Sequence, residues 1–260
     1  MQVQLSSGTV TYRERGVGPT LALLHAFPFS SEMWEPQLAG LEDVARVVAI
    51  DMRGFGGTPV AGPYTLEDLA RDVAEVMDAL GHERFVLGGL SMGGYVALAF
   101  ERLFGHRLQG LVLADTKAAA DTPAAREHRY HVAAEVEAEG VASLTATMPN
   151  TLLAPVASSD VRERVRAWIE RANPRAVALA QRAMAERPDS TERLPRLTLP
   201  TLVVVGEADA LTPPEEAERM AALLPDTRLV RIPHAGHLSN VENPAAFNAA
   251  VRAFLGAIAR

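Results

Sequence analysis

At 260 residues the chain lies near the upper limit of what one hydrophobic core supports, so a single domain carrying an insertion is expected rather than two independent units. Its 48% hydrophobic and 22% charged residues are those of an ordinary globular protein, and no uninterrupted apolar stretch reaches the ~20 residues that cross a bilayer, which excludes an integral membrane protein. A net charge of −7 argues against nucleic acid as a partner, and the lack of cysteine removes disulfides and thiolate metal sites.

The first eight residues carry neither a basic start nor an apolar run of the secretory type, so cytoplasmic residence is expected. Residues 3–15 alternate and bear Thr and Tyr, predicting an antiparallel edge hairpin. Beyond it, apolar runs alternate with amphipathic stretches, the pattern of an α/β protein with a mostly parallel sheet flanked by helices. Residues 21–25, 46–51, 85–90, 110–115, 201–206 and 228–233 are nearly continuous in Leu, Val and Ile, as expected of strands covered on both faces. Residues 65–80 are the clearest helix: Leu66, Leu69, Val73, Val76 and Leu80 keep helical spacing, Thr65 and Asp68 form a capping-box signal, and Gly81 follows the end. Asp51 opens the loop after the second apolar run.

From 121 to 196 the rhythm breaks, because the sequence is polar, helical in pattern and free of strand-like runs. An inserted helical cap (lid) is expected at 121–196, with 1–120 and 197–260 forming the sheet-bearing core. Prolines at 123, 149, 155, 174, 188 and 195 should punctuate it into several short helices. Met148, Leu152, Leu153, Trp168 and Met184 are its candidates to face the core, and are expected to serve packing rather than a pocket.

The strongest chemical signal is Gly89-Leu90-Ser91-Met92-Gly93, a G-x-S-x-G stretch between an apolar run and a helical pattern. A serine on so tight a strand-to-helix turn is pushed clear of the sheet, and small residues flank it because strand and helix backbones crowd together. Further along, Asp209 follows the run 201–206, and His237 follows the run 228–233. In an open parallel sheet all carboxyl ends share one edge, so residues far apart in sequence can meet there. Serine is a poor nucleophile at neutral pH, whereas an imidazole takes its proton during attack and an aspartate holds that imidazole in one tautomer. Ser91, His237 and Asp209 are therefore the candidate nucleophile, base and orienting acid. Directly after the run 21–25, Phe27 offers a backbone N–H that would pair with that of Met92 as an oxyanion hole, and His25 is expected to support that loop as a second-layer residue.

These segments, His25-Ala26-Phe27-Pro28, Asp51-Met52-Arg53-Gly54, Gly89 to Gly94, Gly206 to Pro213 and His234 to His237, together resemble the α/β-hydrolase superfamily, in its bacterial esterase and 3-oxoadipate enol-lactonase-like branch. The resemblance covers nearly the whole length. It implies a serine hydrolase acting on a small-molecule carboxylic ester or lactone, with enol-lactonase or cofactor-free perhydrolase activity as narrower alternatives and a non-catalytic ligand receptor on the same fold as the non-enzyme alternative. The resemblance also implies a family turn at Asp51 in a structural role, with Arg53 as its ion-pair partner, while Ala26 departs from the family, where glycine is frequent. A hydrolytic dehalogenase is disfavoured because a carboxylate would stand at Ser91.

Other residues compete for the same roles. Asp115 also ends an apolar run and could supply the acid, although Asp209 has the setting more typical of this branch. His234 is assigned to packing beside Pro233, and His82, His106, His128 and His131 to solvated surface. His128 and His131 complete no metal-binding signature, and neither a P-loop lysine nor a G-x-G-x-x-G order is present, so no metal, nucleotide or other cofactor is expected. Arg126, Arg129 and Arg162 of the insertion could receive a carboxylated lactone, with exposed helix faces as the plainer expectation for most of them.

Overall fold

The computed structural model describes residues 1–258. In chain order the core begins with β1 (Gln2–Leu5), β2 (Gly8–Arg15), β3 (Thr20–Leu24), α1 (Glu35–Gly40), β4 (Arg46–Ile50), α2 (Leu66–Ala79), β5 (Phe85–Leu90), α3 (Met92–Phe104) and β6 (Leu108–Ala114). Four helices follow without a strand: α4 (Pro123–Glu139), α5 (Ala142–Leu152), α6 (Ser159–Glu170) and α7 (Pro174–Ala185). The chain then returns to the sheet with β7 (Thr201–Gly206), α8 (Pro214–Leu223), β8 (Thr227–Ile232), α9 (Ser239–Glu242) and α10 (Pro244–Ile258).

The eight strands form one sheet in the order β1-β2-β4-β3-β5-β6-β7-β8. The β1–β2 and β2–β4 pairs are antiparallel and all the others parallel, so the amino-terminal hairpin closes one edge of an otherwise parallel sheet. Strands β3, β5 and β7 are buried along their whole length, which is why they read as unbroken apolar runs. The run ending at Ile232 behaves differently. As the outer strand β8 it is partly exposed, with Arg228 and Arg231 facing solvent, so the expectation of cover on both faces fails there for want of a neighbouring strand.

Local signals set α2 as expected. Thr65 accepts from the Asp68 N–H while the Asp68 carboxylate accepts from the Thr65 N–H, and Gly81 takes the positive φ (+75°) that lets the chain leave the helix. Asp51 does not pair with Arg53. Its two carboxylate oxygens are occupied by the Ser31 and Gly57 N–H groups at 2.7 and 2.9 Å, and Arg53 instead grips Asp72 of α2 through two hydrogen bonds.

In the helical insertion, α4 packs against α7 and α5 against α6. Pro123 and Pro174 stand at helix starts, where a missing N–H costs nothing. Pro149, however, lies within α5 and does not end it, and α4 runs 17 residues rather than forming a short segment.

Parallel pairing aligns the carboxyl ends of β5, β6, β7 and β8 at one edge, with Leu90 opposite Ala114, Ala114 opposite Val204 and Gly206 opposite Ile232. Among the described residues, three non-glycine residues have positive φ: Ser91 (55°), Asp115 (45°) and His234 (59°). All three lie just beyond these strand ends. Backbone strain of this kind costs on the order of 1–3 kcal/mol each and persists only where the surroundings enforce it.

Candidate active site

Ser91 occupies the turn between β5 and α3 with φ 55° and ψ −113°. Its backbone is pinned on both sides: its N–H donates to the Ala114 carbonyl at 2.9 Å, and its carbonyl accepts from Gly94 N–H and the Thr116 hydroxyl, both at 2.9 Å. The flanking glycines are dictated by space. A Cβ on Gly89 would lie 2.1 Å from the Gly93 carbonyl oxygen, and one on Gly93 would lie 2.2 Å from that of Leu24. Both partners are backbone and neither can yield, which is the physical content of the G-x-S-x-G spacing.

Across the sheet edge, His237 Nδ1 lies 2.9 Å from Asp209 Oδ2, with both side chains buried. Asp209 is held from several sides. Its Oδ1 accepts from the Leu211 and Thr212 N–H groups, each at 2.9 Å, and its Oδ2 also accepts from the Thr212 hydroxyl at 2.7 Å. Burial alone would raise this carboxyl, but the charge and hydrogen bond of His237 together with the bonds from Thr212 outweigh it and hold Asp209 below its ordinary value. It is thus a carboxylate at neutral pH, fixed in orientation. Thr212 belongs to the Gly206-to-Pro213 segment that favours Asp209 in the sequence, and its two bonds to the carboxylate give that setting a physical role.

Asp115, the competing acid, faces elsewhere. Its Oδ1 accepts from Gly206 N–H at 2.8 Å and its Oδ2 from the Ser239 hydroxyl, tying the ends of β6 and β7 to α9. Burial, reinforced by the charge of Asp209, pushes its carboxyl well above the ordinary range, so a second negative charge beside Asp209 is disfavoured.

His237 Nε2 is buried and has no hydrogen-bond partner among the described residues. It shares a cavity of about 390 Å³ with Ser91 and Phe27. The structure therefore joins His237 to Asp209 by a direct bond, and brings Ser91 to the same cavity without a formed Ser91–His237 hydrogen bond. A larger groove of about 540 Å³ between the loop at 54–60 and α6 is lined by none of Ser91, His237, Asp209, Phe27, Met92 and His25.

The loop after β3 turns tightly, with Phe29 N–H donating to the Ala26 carbonyl at 2.9 Å. Ala26 has no positive φ, so the backbone at that position does not require glycine. Among the described residues, neither the Phe27 nor the Met92 N–H donates to a protein acceptor. Fully buried His25 spans the loop: Nδ1 bonds the Ala26 carbonyl at 2.9 Å, and Nε2 accepts from Met52 N–H at 3.1 Å. That pattern requires the neutral ring with its proton on Nδ1, and burial indeed lowers its pKa against the opposing bond to Ala26 and the charge of Asp51.

The helical insertion forms the other wall of the cavity. Met148, Leu152 and Met184 line it, so these three do more than the packing expected of them, whereas Trp168 packs edge-on against Phe29 with ring centroids 5.8 Å apart and lines the separate groove beside α6. The insertion also grips the histidine loop directly. His237 N–H donates to the Leu152 carbonyl at 2.7 Å, and Glu242 accepts from both Gly236 N–H and Ala154 N–H at 2.8 Å. Of the three arginines, Arg126 pairs with Glu186 at the exposed surface, Arg162 binds the carbonyls of Ala154, Pro155 and Ala157, and only Arg129 borders the cavity. His128, assigned to solvated surface, also borders it. Among the described residues no group of three or more His, Cys, Asp or Glu side chains is placed to hold a metal ion.

Near the start of the insertion, Asp121 is the shared partner of Arg187 (2.7 Å), Arg129 and Lys117 (3.5 Å). Burial opposes its ionisation, but the hydrogen bonds and charges of Arg187 and Arg129 prevail and hold it far below the ordinary value of 3.8. The Arg187 side chain is only 4% exposed. Asp121→Asn should therefore strand a buried guanidinium and cost about 3–5 kcal/mol at neutral pH. Because the folded-state pKa is depressed, the stabilisation is complete above the unfolded value and is lost as pH falls from that value toward the folded one. Urea denaturation of both proteins at pH 7 and near pH 3 should show the gap narrowing in acid. A gap that stays constant would locate the effect in packing rather than in charge.

Residues 19–244 match a protein family described as alpha/beta hydrolase fold. The 3-oxoadipate enol-lactonase 1 of Acinetobacter baylyi is 30% identical over 233 residues, covering 88% of this chain and 85% of that protein. A thermophilic esterase from Thermogutta terrifontis, solved with malate bound, superposes with a TM-score of 0.96 at 42% identity over 99% of both chains. The enol-lactonase from Burkholderia xenovorans LB400 gives 0.89 at 27% identity, covering 98% of this chain and 100% of that one.

Proposed function

This chain belongs to the alpha/beta hydrolase fold family, and on that premise we propose that it is a serine hydrolase cleaving small carboxylic esters or lactones through Ser91, His237 and Asp209. One observation carries the reading: His237, buried, bonded to Asp209 and with its Nε2 left without a partner among the described residues, lines the same cavity as a serine held on a strained strand-to-helix turn. In the first half-reaction Ser91 Oγ adds to the carbonyl carbon while His237 Nε2 takes its proton. The oxyanion lies against the Phe27 and Met92 N–H groups, whose preorganised donors are each typically worth ~10²–10³ in rate. His237 then gives the proton to the departing alkoxide, leaving an acyl-enzyme. Water enters, loses a proton to the same nitrogen and attacks the acyl carbon, and return of that proton to Ser91 frees the acid and the enzyme.

Asp209 remains ionised throughout. It keeps the Nδ1 proton in place and stabilises the imidazolium formed in each half-reaction. Residues 121–196 act as the cap over a core of residues 1–120 and 197–260, since α4, α5 and α7 contribute lining to the cavity. The breadth of "ester or lactone" follows the relatives, which bear the names esterase and enol-lactonase.

A fluorophosphonate probe, followed by peptide mass spectrometry, should label Ser91 stoichiometrically, and a panel of 4-nitrophenyl esters with 3-oxoadipate enol-lactone alongside should show turnover. A protein that stays unlabelled and turns over neither class would instead be a ligand-binding module on this fold. Turnover of simple esters without the enol-lactone would remove the enol-lactonase alternative.

A further inference from the structure

The cavity that holds Ser91 and His237 has a charge bias that the proposed reaction does not use. Lys117, His128 and Arg129 are among its lining residues, whereas among the described residues no aspartate or glutamate lines it, although the chain as a whole carries a net charge of −7. Among the described residues Asp121 is the carboxylate paired with both Lys117 and Arg129, and that group is shared with a third cation, Arg187. Three positive charges thus converge on one negative charge beside a concave wall, where a field is focused rather than dispersed in solvent.

The three cations are not equally satisfied. Arg187 donates to the Met184 and Ala119 carbonyls as well as to Asp121, and Arg129 donates to Gln181 Oε1 at 2.9 Å besides Asp121. Lys117, the only lysine in the sequence, stands 3.5 Å from Asp121 Oδ1 and makes no hydrogen bond to the protein among the described residues, with its side chain 26% exposed. An ammonium with three donors at the cavity wall, beside a carboxylate already taken by two guanidinium groups, is an acceptor-seeking cation. The rest of the lining combines polar groups, among them Thr147, Thr151 and Gln181, with Val132, Leu144, Met148 and Leu152, an apolar set suited to a run of methylenes.

We infer that Lys117, supported by Arg129, forms an anion subsite of this cavity, and that the preferred substrates are esters or lactones bearing a free carboxylate separated from the scissile carbonyl by a short aliphatic chain. This rests on the reading of the cavity as a hydrolase active site. Lys117 is a specificity residue in this scheme: it binds the remote carboxylate and takes no part in the bond changes at Ser91.

The test compares mono-(4-nitrophenyl) esters of glutaric, adipic and pimelic acids with neutral 4-nitrophenyl esters of equal acyl length, in the wild type, Lys117→Met and Lys117→Arg. At the best chain length the wild type should prefer the acid ester. Lys117→Met should lower the ratio of acid-ester to neutral-ester kcat/KM about 10- to 100-fold, the range expected for one charge-assisted hydrogen bond, chiefly through KM. Lys117→Arg should restore most of that ratio. A ratio unchanged by Lys117→Met, with the neutral ester still turned over, would overturn the subsite and leave the hydrolase reading intact. Should no ester be hydrolysed, the hydrolase reading fails, and calorimetry of adipate binding still decides the subsite: tighter binding to wild type than to Lys117→Met supports it, and equal binding overturns it.

Discussion

Ser91→Ala is expected to lower kcat on 4-nitrophenyl butyrate by about 10⁶-fold, the scale on which removal of a serine nucleophile acts in a well-studied protease. The fold should tolerate the change, because the turn is held by backbone. Its N–H and carbonyl make the bonds to Ala114, Gly94 and Thr116, and the Ser91 side chain makes no capping bond to α3. Circular dichroism and the urea midpoint should therefore move little while turnover disappears. A variant that kept more than about a hundredth of wild-type kcat would place the nucleophile elsewhere, since the acyl-enzyme requires the Ser91 hydroxyl oxygen.

The second large effect concerns the partner of the imidazole. Asp209→Asn should cost about 10⁴ in kcat/KM, and the geometry says why the loss cannot be evaded by an amide flip. Oδ1 sits against two N–H donors, those of Leu211 and Thr212, so the asparagine oxygen must occupy that position. Its NH₂ group then faces His237 Nδ1 and turns that atom into an acceptor, which moves the ring proton to Nε2 and removes the base from the side that faces the cavity. Asp115→Asn is the informative control. Asp115 bonds to Gly206 and Ser239 and not to the imidazole, so kcat/KM should stay within about tenfold of the wild type. If the two variants exchanged their effects, Asp115 would be the orienting acid.

Much of the fold was readable because its determinants are local. An unbroken run such as Val86–Leu87 or Val203–Val205 is apolar because both faces of the strand are covered, and that condition is written residue by residue. The capping box at Thr65 and Asp68 spans four residues, and the turn at Ser91 spans five, with glycines whose necessity follows from backbone contacts within that turn and with β3. Where the outcome depended on neighbours in space, sequence was a poorer guide. The run ending at Ile232 looked as buried as the others, yet it forms the sheet's edge. Arg53 looked like the partner of Asp51, but Asp51 was already saturated by backbone N–H groups, and α2 brought Asp72 within reach.

By itself, then, the amino-acid sequence determined the class of fold, the alternation of strands and helices along the chain, the strand-free helical stretch between β6 and β7, and the narrow set of residues at strand ends from which a site could be assembled. Tertiary structure alone decided which of two aspartates meets His237, because Asp115 and Asp209 both follow apolar strands and differ only in what surrounds their oxygens. It also decided that Lys117 faces the same cavity as Ser91, and that Met148 and Leu152, expected only to pack against the core, line that cavity as well. The physical reason is range: periodicity, capping and turn conformation are fixed by interactions a few residues apart, whereas burial, hydrogen-bond saturation and the charge of a cavity are sums over atoms that only the packed chain brings together.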